Sequence, residues 1–177
     1  MKASFKIIST AVAVVTLFLT TNLKAQTNPA GAWRFSIGPE VGFPTGVARL
    51  GANFNLGGTA RLQYGITNDL AVTLTSGAYH FFPIKKPGSN SRYDSYGIIP
   101  IKAGLKYVFL KGIYVGAEAG FSIEADDSGT GPKRFLLSPA LGYACKRWDF
   151  AFHYEAFSSP ENHFGIVALR LAYGFSL

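Results

Sequence analysis

The sequence predicts an all-β fold, an eight-stranded antiparallel up-and-down transmembrane β-barrel. Three observations carry that expectation. Apolar residues alternate with polar or very small ones at a period of two through most of the chain, the pattern of strands whose two faces meet different surroundings. Tight turns alternate with longer loops along the chain, as in sheets whose strands run up and down in order. Charged residues in the strands all fall on the face that carries Gly, Ser and Thr, and none falls on the apolar face.

Composition agrees with this and narrows the class. The 177 residues include 15% charged and 15% aromatic residues and 20 glycines, too apolar and aromatic for disorder and too poor in Lys and Glu for a soluble helical domain. Net charge is +7, but three of the 17 Lys and Arg residues (Lys2, Lys6 and Lys24) lie in the leading segment, leaving 14 against 10 Asp and Glu. These charges form no long basic run, so nucleic acid is not an expected partner. A single cysteine, Cys145, excludes an internal disulfide framework and a cysteine-based metal site.

In chain order, residues 1–25 read as a cleaved signal peptide. Lys2 and Lys6 form its positive end, Ile7 to Leu19 its apolar stretch, and Leu23-Lys24-Ala25 ends in a small residue at the expected cleavage point. The apolar stretch is about 13 residues, short of the roughly 20 a spanning helix needs. No Cys follows it, so lipoprotein processing is not expected. Residues 26–177 then form the barrel domain. In the first strand, Trp33 to Phe43, the residues Trp33, Phe35, Ile37, Pro39, Val41 and Phe43 face one way; Arg34, Ser36, Gly38, Glu40 and Gly42 face the other. Phe54 to Ile66 repeats the pattern. Further strands are predicted at Leu70 to Phe81, Tyr96 to Phe109, Ile113 to Ile123, Phe135 to Cys145, Trp148 to Phe157 and Phe164 to Phe175. Thr67-Asn68-Asp69, Leu110-Lys111-Gly112 and Lys146-Arg147 are the tight turns; Pro44 to Asn53, Phe82 to Ser95, Glu124 to Arg134 and Ser158 to His163 are the longer loops. Both ends of the barrel domain then lie on the short-turn, periplasmic side.

Charge placement decides between lipid and water outside. A lipid-facing exterior excludes unpaired charge and a polar lumen accepts it, whereas a soluble barrel inverts this. Gly31-Ala32-Trp33 fits the opening Gly-x-Trp of lipocalins, soluble eight-stranded barrels, but the polarity is the wrong way round for that reading. Aromatic residues near the short turns (Trp33, Tyr64, Tyr107, Phe109, Tyr143, Trp148, Tyr173 and Phe175) suit an interfacial girdle.

The Lys24-Ala25-Gln26 end of the signal, the eight strands, and the closing Leu169-Arg170-Leu171-Ala172-Tyr173-Gly174-Phe175 resemble the small outer-membrane β-barrel family akin to the OmpA/OmpX-type barrels. The resemblance covers Gln26 to Leu177. It implies residence in the outer membrane among lipid and lipopolysaccharide, and reading of Tyr173 and Phe175 by the barrel-assembly machinery as an insertion signal.

The predicted lumen holds Arg34, Arg61, Lys102, Lys106 and Arg170 against Glu40, Glu118, Asp149 and Glu155, with His153 among them. Eight strands enclose a space that side chains can just fill, so these groups are expected to pair into a network and plug the barrel, with Lys106 in reach of acids such as Glu118. An ion path or proton relay is the functional alternative. Asp149, His153, Glu155, Ser158 and Ser159 invite a Ser-His-acid hydrolase reading. The outer-membrane lipid A deacylases, however, carry His-x-Ser on a late strand, and Ala156-Phe157-Ser158 has Ala in the place of that His. The acidic loop from Glu124 to Gly129 lacks the alternating oxygen spacing of a calcium loop. Lys85, Lys86 and Arg92 are placed to meet lipopolysaccharide phosphates or simply to solubilise a loop. Cys145 is expected to face lipid, and His80 and His163 stand alone near loop ends.

The resulting expectation is a monomeric, non-enzymatic outer-membrane protein without cofactor or metal, serving membrane integrity, adhesion or ligand contact through its long loops. A narrow porin-like channel is the first alternative, a lipid-modifying enzyme the second.

Overall fold

The computed structural model describes residues 29–85, 88, 96–125, 133–158 and 163–177. The expected signal peptide, Lys86, Arg92, Ser159 and most of the acidic loop lie outside the described residues.

Eight strands account for nearly all of what is described: β1 (Trp33–Gly46), β2 (Ala52–Gly65), β3 (Leu70–Pro83), β4 (Tyr96–Leu110), β5 (Ile113–Ala125), β6 (Lys133–Ala144), β7 (Trp148–Ser158) and β8 (His163–Ser176). They form one closed barrel in chain order, every pair antiparallel, with β8 returning to β1. Each strand turns opposite faces to opposite sides because side chains alternate along an extended chain. In β1, Arg34, Ser36 and Glu40 are buried inside, while Trp33, Ile37 and Phe43 are 47%, 51% and 55% exposed. The same holds around the wall: Leu74, Ile101, Leu105, Leu141, Phe152 and Leu169 are exposed, and Thr73, Lys102, Lys106, Asp149, His153 and Arg170 are buried. The apolar face is outside.

The turns follow their residues. The Thr67 hydroxyl accepts hydrogen bonds from the Asp69 and Leu70 amides (3.2 and 3.0 Å), closing the β2–β3 turn. At the β4–β5 turn Lys111 and Gly112 both have positive φ (27° and 94°), the conformation a two-residue hairpin requires and glycine supplies at least cost. The first loop is shorter than expected. β1 continues through Pro44, which stays extended opposite Ile166 of β8, so the connection reduces to a single 3₁₀ turn at Val47–Leu50 and Gly51.

Prolines mark the interruptions in the wall. The β1–β8 register omits Gly38 and Pro39, the β3–β4 register omits Ile99 and Pro100, and the β6–β7 register omits Ser138 and Pro139. Each proline stays in register with its other neighbour: Pro39 with Gly58, Pro100 with Ser122, Pro139 with Ala117. A proline has no N–H to give, so one of its two ladders must lose a bond. Elsewhere the wall is pressed tight. A Cβ on Gly104 would lie 2.0 Å from the Ala117 carbonyl oxygen, and one on Gly120 would lie 1.9 Å from that of Ile101, so only glycine lets β4 and β5 coil together there.

Facing can be tested at one adjacent pair. Leu105 is 51% exposed on the outer wall and Lys106 is buried within. In lipid vesicles, Leu105→Arg should lose about 2–4 kcal/mol of unfolding free energy by placing a cation in hydrocarbon. Lys106→Arg, which keeps the internal charge, should lose distinctly less in the same denaturant titration.

Candidate functional site

The lumen gathers all ten of the expected charged and histidine residues, every one buried. They come from β1, β2, β4, β5, β7 and β8 because each strand presents its alternate positions inward. Three connected layers result.

At the short-turn end, Asp149 accepts from Lys106 Nζ (2.6 Å) and from the Tyr114 hydroxyl (2.6 Å), and the ammonium lies 3.8 Å from the centre of the Tyr114 ring. Arg34 Nη2 donates to the Cys145 carbonyl oxygen (3.2 Å). In the middle, Glu118 accepts from Thr73 and Thr75 hydroxyls (both 2.7 Å) and from Arg61 Nη2 (3.2 Å); Arg61 Nε donates to Thr75 (2.9 Å). Arg170 donates to Thr59 (2.7 Å) and Ser36 (3.2 Å), and Thr59 in turn donates to Glu40 (3.1 Å). Above these, His153 Nε2 lies 2.9 Å from Glu40, while Glu155 pairs with Lys102 and accepts from the Tyr79 hydroxyl (3.1 Å).

The long-loop end is closed differently. Tyr79, Phe81, Ile98, Leu136, Phe157 and Ile166 point inward and form an apolar cluster over the network. Tyr96 stacks on Phe81 and Phe164 on Phe157, with ring centres 4.5 and 4.7 Å apart. At the opposite mouth a cavity of about 20 Å³ remains between Arg34, Gln63 and Lys106, room for about one water. The arrangement therefore holds charge in pairs below a packed apolar cluster.

Several expectations need correction. Lys106 pairs with Asp149 across the lumen, not with Glu118 on the next strand, which is taken by Arg61. Cys145 is buried in the β6–β7 turn and does not face lipid, because the strand ends at Ala144 and the chain folds in over the rim. Among the described residues no Ser-His-acid triad forms from His153: that ring is held by Glu40 inside, whereas Ser158 hydrogen-bonds to His163 Nδ1 (2.9 Å) at the rim, so His163 does not stand alone. Glu124 of the acidic loop pairs with Arg134 (3.2 Å). His80 is exposed against Phe82, and Lys85 is exposed.

Sequence reasoning missed the inward aromatics. Tyr79 and Phe81 share the phase of Thr73 and Thr75, and Tyr114 that of Glu118, so their facing was written in the alternation. It also missed a second aromatic rim. Besides Trp33–Tyr64 and Trp148–Tyr173 near the short turns, Phe54–Phe82 and Phe121–Phe135 ring the long-loop side.

The closed eight-stranded barrel is a fold that this chain shares with small outer-membrane proteins of known structure. Ail, the attachment invasion locus protein of Yersinia pestis, shares it with a TM-score of 0.56 and 13% identity over 82% of this chain and 99% of Ail. OprG from Pseudomonas aeruginosa matches with a TM-score of 0.53 and 10% identity, covering 86% of this chain and 99% of OprG. Neisserial surface protein A matches with a TM-score of 0.53 and 16% identity, covering 83% and 98%. No protein-family model matches the chain, and no curated protein matches its sequence.

The depth of the network sets its energetic weight. Glu118→Gln removes a buried carboxylate from Arg61 and should cost about 3–5 kcal/mol. Glu124→Gln breaks the half-buried Arg134 pair and should cost about 1 kcal/mol or less. Urea unfolding of both variants in vesicles measures the contrast; equal losses would mean the lumen pair is no more than a surface pair.

Proposed function

We propose that this chain is a monomeric, non-enzymatic integral protein of the outer membrane, exported by cleavage after Ala25, that stabilises the membrane and presents its long-loop end for contact with ligands or surfaces. The observation that supports this most directly is the filled lumen, with paired charges below and stacked aromatics above, a packing that favours a plugged barrel over a channel. The outer face, with Leu, Ile and Phe between two aromatic rims, suits hydrocarbon flanked by lipid head groups and lipopolysaccharide. Attachment, in the name of Ail, is a precedent for surface contact on this fold.

Insertion would depend on the last strand. Phe175 is 47% exposed on the outer wall, 4.9 Å from Tyr173, and both rings are available to the barrel-assembly machinery.

The mature protein should fractionate with outer membrane, resist urea extraction, and migrate differently on gels before and after boiling. Planar bilayers should register almost no conductance. Recovery as a soluble periplasmic protein, or steady open-channel current, would overturn the reading. The double variant Tyr173→Ala with Phe175→Ala should accumulate unfolded in the periplasm; normal insertion would remove any special role for this end.

A further inference from the structure

We propose that Glu40, His153 and Glu155 form a buried site for one divalent transition-metal ion of the zinc class. One donor atom from each residue can be chosen so that all three lie within 4.8 Å of one another. His153 Nε2 is 2.9 Å from Glu40 Oε1 and 3.7 Å from Glu155 Oε1. Donors at about 2.0–2.1 Å around a tetrahedral zinc ion are about 3.3 Å apart, a value that the two His153 separations bracket and toward which the two carboxylates would close from at most 4.8 Å. One imidazole and two carboxylates suit a borderline-soft ion, whereas calcium takes six to eight oxygens.

A second observation falls on one of the same three residues. Glu155 is wholly buried, yet its Oε2 accepts no hydrogen bond, while Oε1 carries Lys102 and Tyr79. A buried carboxylate oxygen left without a partner is costly, and a metal ion would take it. The other groups already orient the ligands: Thr59 donates to Glu40 Oε2 and Tyr79 to Glu155 Oε1, the outer contacts that hold carboxylates around a metal. Lys102 is the competing cation. Binding takes the neutral imidazole with its lone pair on Nε2 and its proton on Nδ1, so a proton held on Nε2 shifts to Nδ1 with none released.

The site is buried, so metal is supplied during refolding. Barrels refolded into detergent with Zn²⁺ and passed through a desalting column should retain about one ion per chain. Co²⁺ in its place should give the visible absorption of a four-coordinate site. His153→Ala and Glu155→Gln, each accepted only if folded by unboiled gel mobility, should lower affinity at least about tenfold. Lys102→Gln should bind as tightly or more tightly. His80→Ala with His163→Ala should bind unchanged. Wild-type barrels that hold no zinc above a metal-free blank overturn the proposal, even if neither ligand variant folds. Metal lost with His80 and His163 but kept without His153 also overturns it, assigning binding to the surface.

Discussion

Everything in this fold follows from the need to pair backbone groups in a chain whose outer face is hydrocarbon-like. Leucine, isoleucine and phenylalanine cover the wall; set in hydrocarbon, an amide or carbonyl there would have no water to turn to and would have to find its partner in the neighbouring strand. Open sheets leave two unpaired edges; joining β8 to β1 removes both. Closure with eight strands then fixes the width of the interior, and that width allows side chains but no stream of water. Charge admitted to such a space must be matched within it.

The interior meets this demand in two ways. Toward the short turns it is electrostatic, with Asp149, Glu118, Glu40 and Glu155 each held by cationic or hydroxyl donors. Toward the long loops it is apolar, with Phe81, Phe157 and their stacked neighbours packed over the charges. A wholly apolar filling would occupy the same volume, but it would make the two faces of each strand alike. A slip of one residue in register exchanges those faces, and a charge delivered to lipid forbids the slip. The polar lumen thus specifies which side of each strand is inside.

Facing was legible in the sequence because it depends only on the alternation of neighbours. Arg34, Glu40 and Asp149 could be placed inside from their phase alone, and the strand ends were legible wherever a tight turn such as Lys111-Gly112 bounds them. Partnership was not legible. Lys106 meets Asp149 from across the barrel because strand tilt and closure bring β4 opposite β7, a relation that local periodicity does not contain. The aromatic cap was hidden for a different reason: Tyr79 and Phe81 suit lipid and lumen equally, so residue type did not distinguish them. Cys145 was misplaced because the alternation was carried one residue past the end of β6.

The three proline gaps divide the wall into panels: β1 to β3, β4 to β6, and the pair β7 and β8. Within a panel the strands are stitched by unbroken pairing apart from single-residue bulges; between panels part of the stitching is missing. The short polar contacts of the lumen run across those seams. Arg61 to Glu118 joins the first panel to the second, Lys106 to Asp149 and Lys102 to Glu155 join the second to the third, and His153 to Glu40 joins the third to the first. The side chains inside act as cross-ties where the staves are loosest, so the cylinder keeps its shape from within as well as around its circumference.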